Sequence, residues 1–451
     1  MISIFKQPAC RRRIILSVAL LATCFPANKP AAQPAAGMII VHAGWLLAVP
    51  GEGPKRRQSL LIETGRIVAV KPGFLTAADL GDQSGSVRVV DLANQFVTPG
   101  LIDCHVHLTS QATAGDRLRR VEKEDSDVAL AAVVAARVTL AAGFTTVRDL
   151  GATGHAIFAL RDAINTGLIP GPRIVAAGAM ISATAGHGDE GGYRSDVLAT
   201  MQIDEGICDG ADACRKMVRE QIKHGADVIK FAATGGVLSV ADRGVGRQFT
   251  DEEMRAIVTT AHELGRKVAA HAHDKAGMDA ALHAGVDSVE HATFADAGSL
   301  ELFRQTHAYA VPTQMTIGVA EHLADDSGTP AVIRNKAQLI LPQMKRELRT
   351  LLSGQVRLAF GTDAGTFPHG NNAGEFRYLA SAGIAPMQAI RMATVNAADL
   401  LGLSSEIGTL EPGKAADLIA LATDPTLDTS TFERPVLVMR QGKIYKSVAD
   451  Q

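Results

Sequence analysis

Between about Leu101 and Leu401 short apolar runs alternate with stretches of helical character, and the alternation repeats about eight times. Strands joined through helices run parallel, and eight such units make a (β/α)8 TIM barrel the expected α/β fold. The first strand lies in Val97-Thr98-Pro99-Gly100-Leu101-Ile102-Asp103-Cys104-His105-Val106-His107. A strand repeats every two residues, so His105 and His107 face the same way. Further strands are expected over 145–150, 174–179, 228–232, 268–273, 288–291, 310–314 and 358–363.

Residues 38–98 read as short strands with turns, and 403–451 contain two more strand-like runs that need partners. The two chain ends are therefore expected to build one small β-sandwich domain, with the barrel over 99–402 between its parts. Residues 1–37 differ in kind: Arg11-Arg12-Arg13, an apolar run over 14–25, then small and polar residues, as in a secretory signal peptide followed by a mature tail. The run is short for a membrane span. Export to a bacterial periplasm is the expectation, with cleavage after Ala27, Ala32 or Ala36. Leu21-Ala22-Thr23-Cys24 approaches a lipobox, but Thr23 departs from the pattern, so a lipid anchor at Cys24 is the lesser reading.

With 451 residues, 47% hydrophobic and 20% charged, the composition is that of a globular protein and excludes disorder or a fibre. A net charge of -2 and no basic stripe argue against nucleic acid and for a small-molecule or short-peptide substrate. In an oxidising compartment Cys208 and Cys214 could form a disulfide, the alternative being two unrelated small residues in a loop. Cys104, facing away from its histidine neighbours, reads as core.

The ends of the expected strands carry Lys230, His271 with His273, His291, and Asp363. Barrel enzymes place catalytic groups at these ends. Each alone has a structural explanation, but gathered with His105 and His107 they concentrate charge that only a cation would balance. Gly235-Gly236 lacks the Lys-Ser/Thr of a phosphate loop, which argues against a nucleotide.

The order His-x-His, Lys, His, His, Asp, the Thr98-Pro-Gly-Leu-Ile-Asp103 entry and the Gly408-Thr-Leu-Glu-Pro-Gly-Lys-Ala-Ala-Asp-Leu418 exit resemble the amidohydrolase superfamily over nearly all of the mature chain. Ala185-Gly-His-Gly-Asp189, Lys230-Phe-Ala-Ala-Thr-Gly-Gly-Val237, His271-Ala-His273 and Val286-Asp-Ser-Val-Glu-His291 are similar to its imidazolonepropionase-like branch of prolidase-like and Xaa-Arg/Lys dipeptidases and ochratoxin-type amidases. The resemblance implies two divalent metals, expected to be zinc. It assigns His105, His107 and Asp363 to one, His271 and His291 to the other, and Lys230 to both after N-carboxylation by CO2 or bicarbonate. An ordinary Lys230 ammonium paired with Asp363 is the alternative.

On that resemblance Asp363 moves the proton during attack by metal-bound hydroxide. His273, where peptidases of the branch often carry Tyr, holds substrate or oxyanion, and His187 contacts substrate. Arg243 and Arg247 either bind a carboxylate or are solvated, and a homo-oligomer is implied. The expected activity is zinc-dependent hydrolysis of an amide or peptide bond that releases a C-terminal or N-acylated amino acid. A cyclic-amide hydrolase and a catalytically silent barrel that binds a partner are the alternatives.

Overall fold

The computed structural model describes residues 37–447 apart from 82–85, 113–117, 119–120, 153, 201–204 and 241–243, so the expected leader, Cys24 and Arg243 lie outside the described residues. Both chain ends meet in one sheet of order β15-β14-β13-β4-β1-β2-β3. Its members are β1 (Ile39–Leu46), β2 (Lys55–Glu63), β3 (Arg66–Pro72), β4 (Arg88–Pro99), β13 (Leu418–Leu421), β14 (Leu437–Arg440) and β15 (Lys443–Lys446). Central β4 runs parallel to β1 and antiparallel to β13.

In place of two facing sheets, these strands form one continuous sheet that curls back on itself. The Ile67 N–H donates to Lys414 O at 2.9 Å and the Ala416 N–H to Gly65 O at 2.9 Å. The curl encloses Val41, Leu60, Ile62, Val97, Leu418 and Met439 in a core of their own. Strand twist gives a physical reason: a long twisted sheet buries its apolar face by curling as well as by adding a second layer.

The central region holds two parallel sheets. One contains β5 (Leu101–Val106), β6 (Phe144–Asp149) and β7 (Arg173–Ala176); the other contains β8 (Val228–Ala232), β9 (Lys267–Ala272), β10 (Ser288–His291), β11 (Tyr309–Val311) and β12 (Arg357–Leu358). Strands β5, β6, β8, β9 and β10 are almost wholly buried, as expected of parallel strands covered by helices on one face and filled on the other. Hydrogen bonds join the sheets at both margins. The Cys104 N–H donates to Phe360 O at 2.9 Å, and Ile181 donates to Lys230 O at 2.8 Å while accepting from the Ala232 N–H at 2.9 Å.

The expected strands over 228–232 and 288–291 match β8 and β10 in extent, whereas β7 and β12 are shorter than expected. For β12 the cause is a competing partner. Past Leu358 the Phe360 N–H turns to Met392 O of the following helical segment, at 3.1 Å. The chain nevertheless stays beside β5, because the Asp363 N–H reaches His105 O at 2.8 Å.

Helix Asp251–Glu263 begins at Thr250, whose hydroxyl accepts from the Glu253 N–H in a capping box. Cys208 and Cys214 are bonded, with their Cα atoms 5.1 Å apart, where the loop enters helix Ala211–His224. Cys104 is free and buried. Because the bridge closes a short loop, Cys208→Ser should cost about 2 kcal/mol of stability. A lowered melting temperature without a reductant, with that difference abolished by a reductant, is the expected reading.

Candidate active site

The carboxyl ends of the parallel strands converge on one cluster. From β5 comes His105, buried, and one residue past the strand comes His107. Each ring is held by one nitrogen: Nδ1 of His105 lies 3.0 Å from Glu290 Oε2, and Nδ1 of His107 lies 2.9 Å from Gly151 O. Their other nitrogens turn to Asp363, whose Oδ1 is 3.4 Å from His105 Nε2 and 3.1 Å from His107 Nε2.

Lys230 is buried on β8. The two-residue period of β9 carries His271 and His273 to the same side, and β10 ends on His291. His273 Nδ1 is 2.8 Å from Thr293 Oγ1, and His291 Nδ1 is 2.8 Å from Thr313 Oγ1. The His291 ring centroid lies 4.6 Å from His271, 4.9 Å from His273 and 5.3 Å from His105.

Ligand-type atoms of His271, His273 and His291 lie within 4.8 Å of one another, as do those of His105, His291 and Asp363. The donor set suits a divalent cation. Hydrogen bonds at Nδ1 orient the rings of His105, His107, His273 and His291 and leave Nε2 as the remaining donor of each, an arrangement common around bound metals, while Nε2 of His271 lies 3.4 Å from Gly235 O. His273 thus stands inside the cluster, alongside the residues assigned as ligands on resemblance.

Burial dominates the electrostatics. It pulls the imidazoles of His105 and His273 down to about 4 and that of His187 to about 3, and holds His271 and His291 well below the ordinary value. These rings are neutral near pH 7, the form that donates to a metal. Burial also lowers Lys230 to about 8, against the opposing pull of Glu290 and Asp363. At His107 burial is outweighed by the Asp363 carboxylate, which raises it. Asp363 itself, despite burial, is kept below its ordinary range by His105, His107 and Lys230.

Backbone strain gathers at the same place. His291, Ala292, Thr313 and Asp363 have φ of +71°, +58°, +49° and +63°. Side chains rarely adopt this region, least of all a β-branched threonine, and each instance costs on the order of 1–3 kcal/mol. His291 closes β10 and the other three lie past strand ends, with Asp363 turned to His105 and His107.

His187 joins from the loop after β7, its ring 4.3 Å from that of His271. A Cβ at Gly236 would come within 2.1 Å of the His187 ring, so the glycine serves this close approach. Arg247 lies exposed and is held locally: Nε donates to Phe249 O and a terminal nitrogen pairs with Asp251, both at 2.6 Å. His369 is tied to Ser110 O at 2.8 Å, and the His155 ring stacks edge-on with His224.

Residues that strand-end reasoning did not single out support the cluster. Arg148, fully buried on β6, donates to Cys104 O at 2.6 Å, to Ser288 Oγ at 3.1 Å and to Glu290 Oε1 at 2.9 Å. Arg148 holds the Glu290 carboxyl near 2 in spite of burial, and that carboxylate fixes His105. Asp103, below the site, accepts from the Thr362 hydroxyl at 2.6 Å and the Asn372 amide at 2.8 Å. Position immediately before His291 was the one sequence signal for Glu290.

The parallel strands thus gather imidazoles, a carboxylate and a buried lysine into one site suited to a divalent cation. The amidohydrolase family pattern matches residues 96–445, and the chain belongs to the amidohydrolase family. It is similar to ochratoxinase of Aspergillus niger, 32% identical over 450 residues, spanning 91% of this chain and 87% of that protein. It is also similar to imidazolonepropionase of Maricaulis maris, at 27% identity over 82% of this chain and 88% of that one. A crystal structure of a Xaa-Pro dipeptidase with methionine bound in its active site is 38% identical, with a TM-score of 0.86 over 91% of this chain and 100% of the other. The protein is thus a hydrolase of this family.

Arg148→Met would leave Glu290 buried without its cation. Loss of about 3–5 kcal/mol in urea unfolding is expected, with weaker metal retention because His105 loses its fixed partner.

Proposed function

We propose that the protein hydrolyses an amide or peptide bond to an amino acid with a free carboxylate, in a centre holding two divalent metals, zinc by preference. The observation that carries this reading is the gathering of buried imidazoles from β5, β9 and β10 with Asp363 and a buried lysine. We read the two parallel sheets as one closed barrel over 99–402, with the curled sheet as a domain built from 38–98 and 403–451.

His105, His107 and Asp363 would hold one metal, His271 and His291 the other, and Lys230 both. Nζ of Lys230 would add CO2 and lose a proton, giving a carbamate anion that replaces a cationic side chain between cations; its lowered pKa favours the free amine that this addition needs. When bound, such metals acidify water and polarise a carbonyl. Asp363 accepts the proton of the attacking water and returns it to the leaving nitrogen. His273 donates to the carbonyl oxygen as charge builds there, and His187 contacts the substrate. Kinship with ochratoxinase and with the Xaa-Pro dipeptidase structure supports an acyclic amide; the imidazolonepropionase relative supports a cyclic amide as the second reading.

The pattern of Arg11-Arg12-Arg13 before an apolar run supports export, which fractionation of expressing cells would test. Among the described residues no helix is long and apolar enough to cross a membrane.

Purified protein should carry close to two zinc per chain and cleave dipeptides or N-acyl amino acids in a screen that varies the C-terminal residue among Pro, basic and aromatic types. Turnover of cyclic amides alone would favour the second reading. Lys230→Ala should lose metal and at least about a hundredfold in activity, with partial rescue by short carboxylic acids. Full activity of Lys230→Ala would refute the bridge.

A further inference from the structure

Lys336 is a buried cation that no step above uses. It stands with Ile340 and Met344 on the inward face of helix Ala331–Ser353, at the spacing of a single helical face, and is 4% exposed. Its ammonium donates to Gly236 O at 2.8 Å, Ser239 O at 2.6 Å and Ser239 Oγ at 3.2 Å. A buried ammonium is costly without such acceptors, so the carbonyls of the loop after β8 are held where the helix places the charge.

That loop is anchored at its base, where the Gly235 N–H donates to Gly246 O at 2.9 Å and the Gln248 N–H to Ala233 O at 3.0 Å. Gln248 Oε1 in turn accepts from the His187 N–H at 2.8 Å. Gly236, gripped by Lys336 through its carbonyl, is the residue against which the His187 ring packs, with no room for a Cβ between them. The other face of the ring neighbourhood is His271, at 4.3 Å and tilted by 36°. A continuous set of contacts therefore runs from Lys336 through Gly236 to His187 and the cluster.

We infer that Lys336 is a positioning residue: by holding the carbonyls of Gly236 and Ser239 it presses the β8 loop against His187 and sets where that imidazole stands beside His271. The inference rests on the reading of His187 as a substrate contact. It makes a helix outside the strand ends a determinant of the reaction.

A double-mutant cycle tests it in the metal-loaded enzyme, with hydrogen exchange as a readout independent of turnover. Lys336→Met keeps the apolar stem and removes the donors. Lys336→Met and His187→Ala should each lower kcat/KM by about tenfold to a hundredfold, since small misplacements at a reacting centre are expensive. Combined, they should fall no more than about twofold below the worse single variant, because both remove the same placement. Exchange at the His187 amide and across 234–240 should quicken in Lys336→Met, with exchange elsewhere unchanged. Lys336→Gln, which retains amide donors, should recover part of both losses and serves as the milder variant if Lys336→Met folds poorly.

Multiplicative losses in the double variant, or unchanged exchange in the Lys336 variants, would overturn the inference. If His187→Ala keeps wild-type kcat/KM, the substrate-contact reading fails. Quickened exchange at His187 in Lys336→Met then still supports the positioning role.

Discussion

Much of this molecule depends on one buried ion pair. Arg148 on β6 and Glu290 on β10 belong to different parallel sheets, and neither carries appreciable exposure. Burying two charges is costly, and the cost is offset here by a full set of hydrogen bonds: Arg148 also reaches Cys104 O and Ser288 Oγ, and Glu290 also engages Ser288 and His105. Because the partners sit on opposite sheets, the pair ties the two arcs across the interior while orienting the first site imidazole. Stability and site geometry therefore draw on the same contact.

Around that pair the cluster is arranged by strain as well as by packing. His291 and Asp363 reach inward from left-handed turns, and Thr313, itself left-handed, holds the His291 ring. Conformations this costly persist only where surrounding contacts over-determine them. Here those contacts are the buried strands beneath and the hydrogen bonds at Nδ1 of His105, His107, His273 and His291. The rings are consequently pre-set, with little reorganisation left for a ligand to impose.

The parts of the fold legible in the sequence are those written in local periodicity. Apolar runs bounded by turns located β8 and β10 to the residue, and the two-residue period put His105 with His107 and His271 with His273. What was not legible depends on contacts between distant segments. Arg148, Glu290 and Thr313 looked like ordinary strand residues and Thr293 like a loop threonine until β6 and β10 faced each other and two rings turned to the threonines. The curl of the small sheet and the brevity of β12 have the same origin. Each is decided by a partner far along the chain or by a turn whose conformation the residue types leave open.

One such partnership bears on how the chain assembles. β4 leads through Gly100 into β5, the strand that carries His105, and the strand that flanks β4 on its outer side is β13. The Gly100 N–H at this junction donates to Asp417 O at 2.9 Å, and Asp417 also pairs with Arg173 of β7 at 2.9 Å. Long-range pairing of this kind is slow, since loop closure must precede any gain from contact. During synthesis β5 thus emerges long before the segment that locks its entry. The histidine pair at its end reaches its final setting only when nearly the whole chain is available, so assembly of the site is a late event in folding.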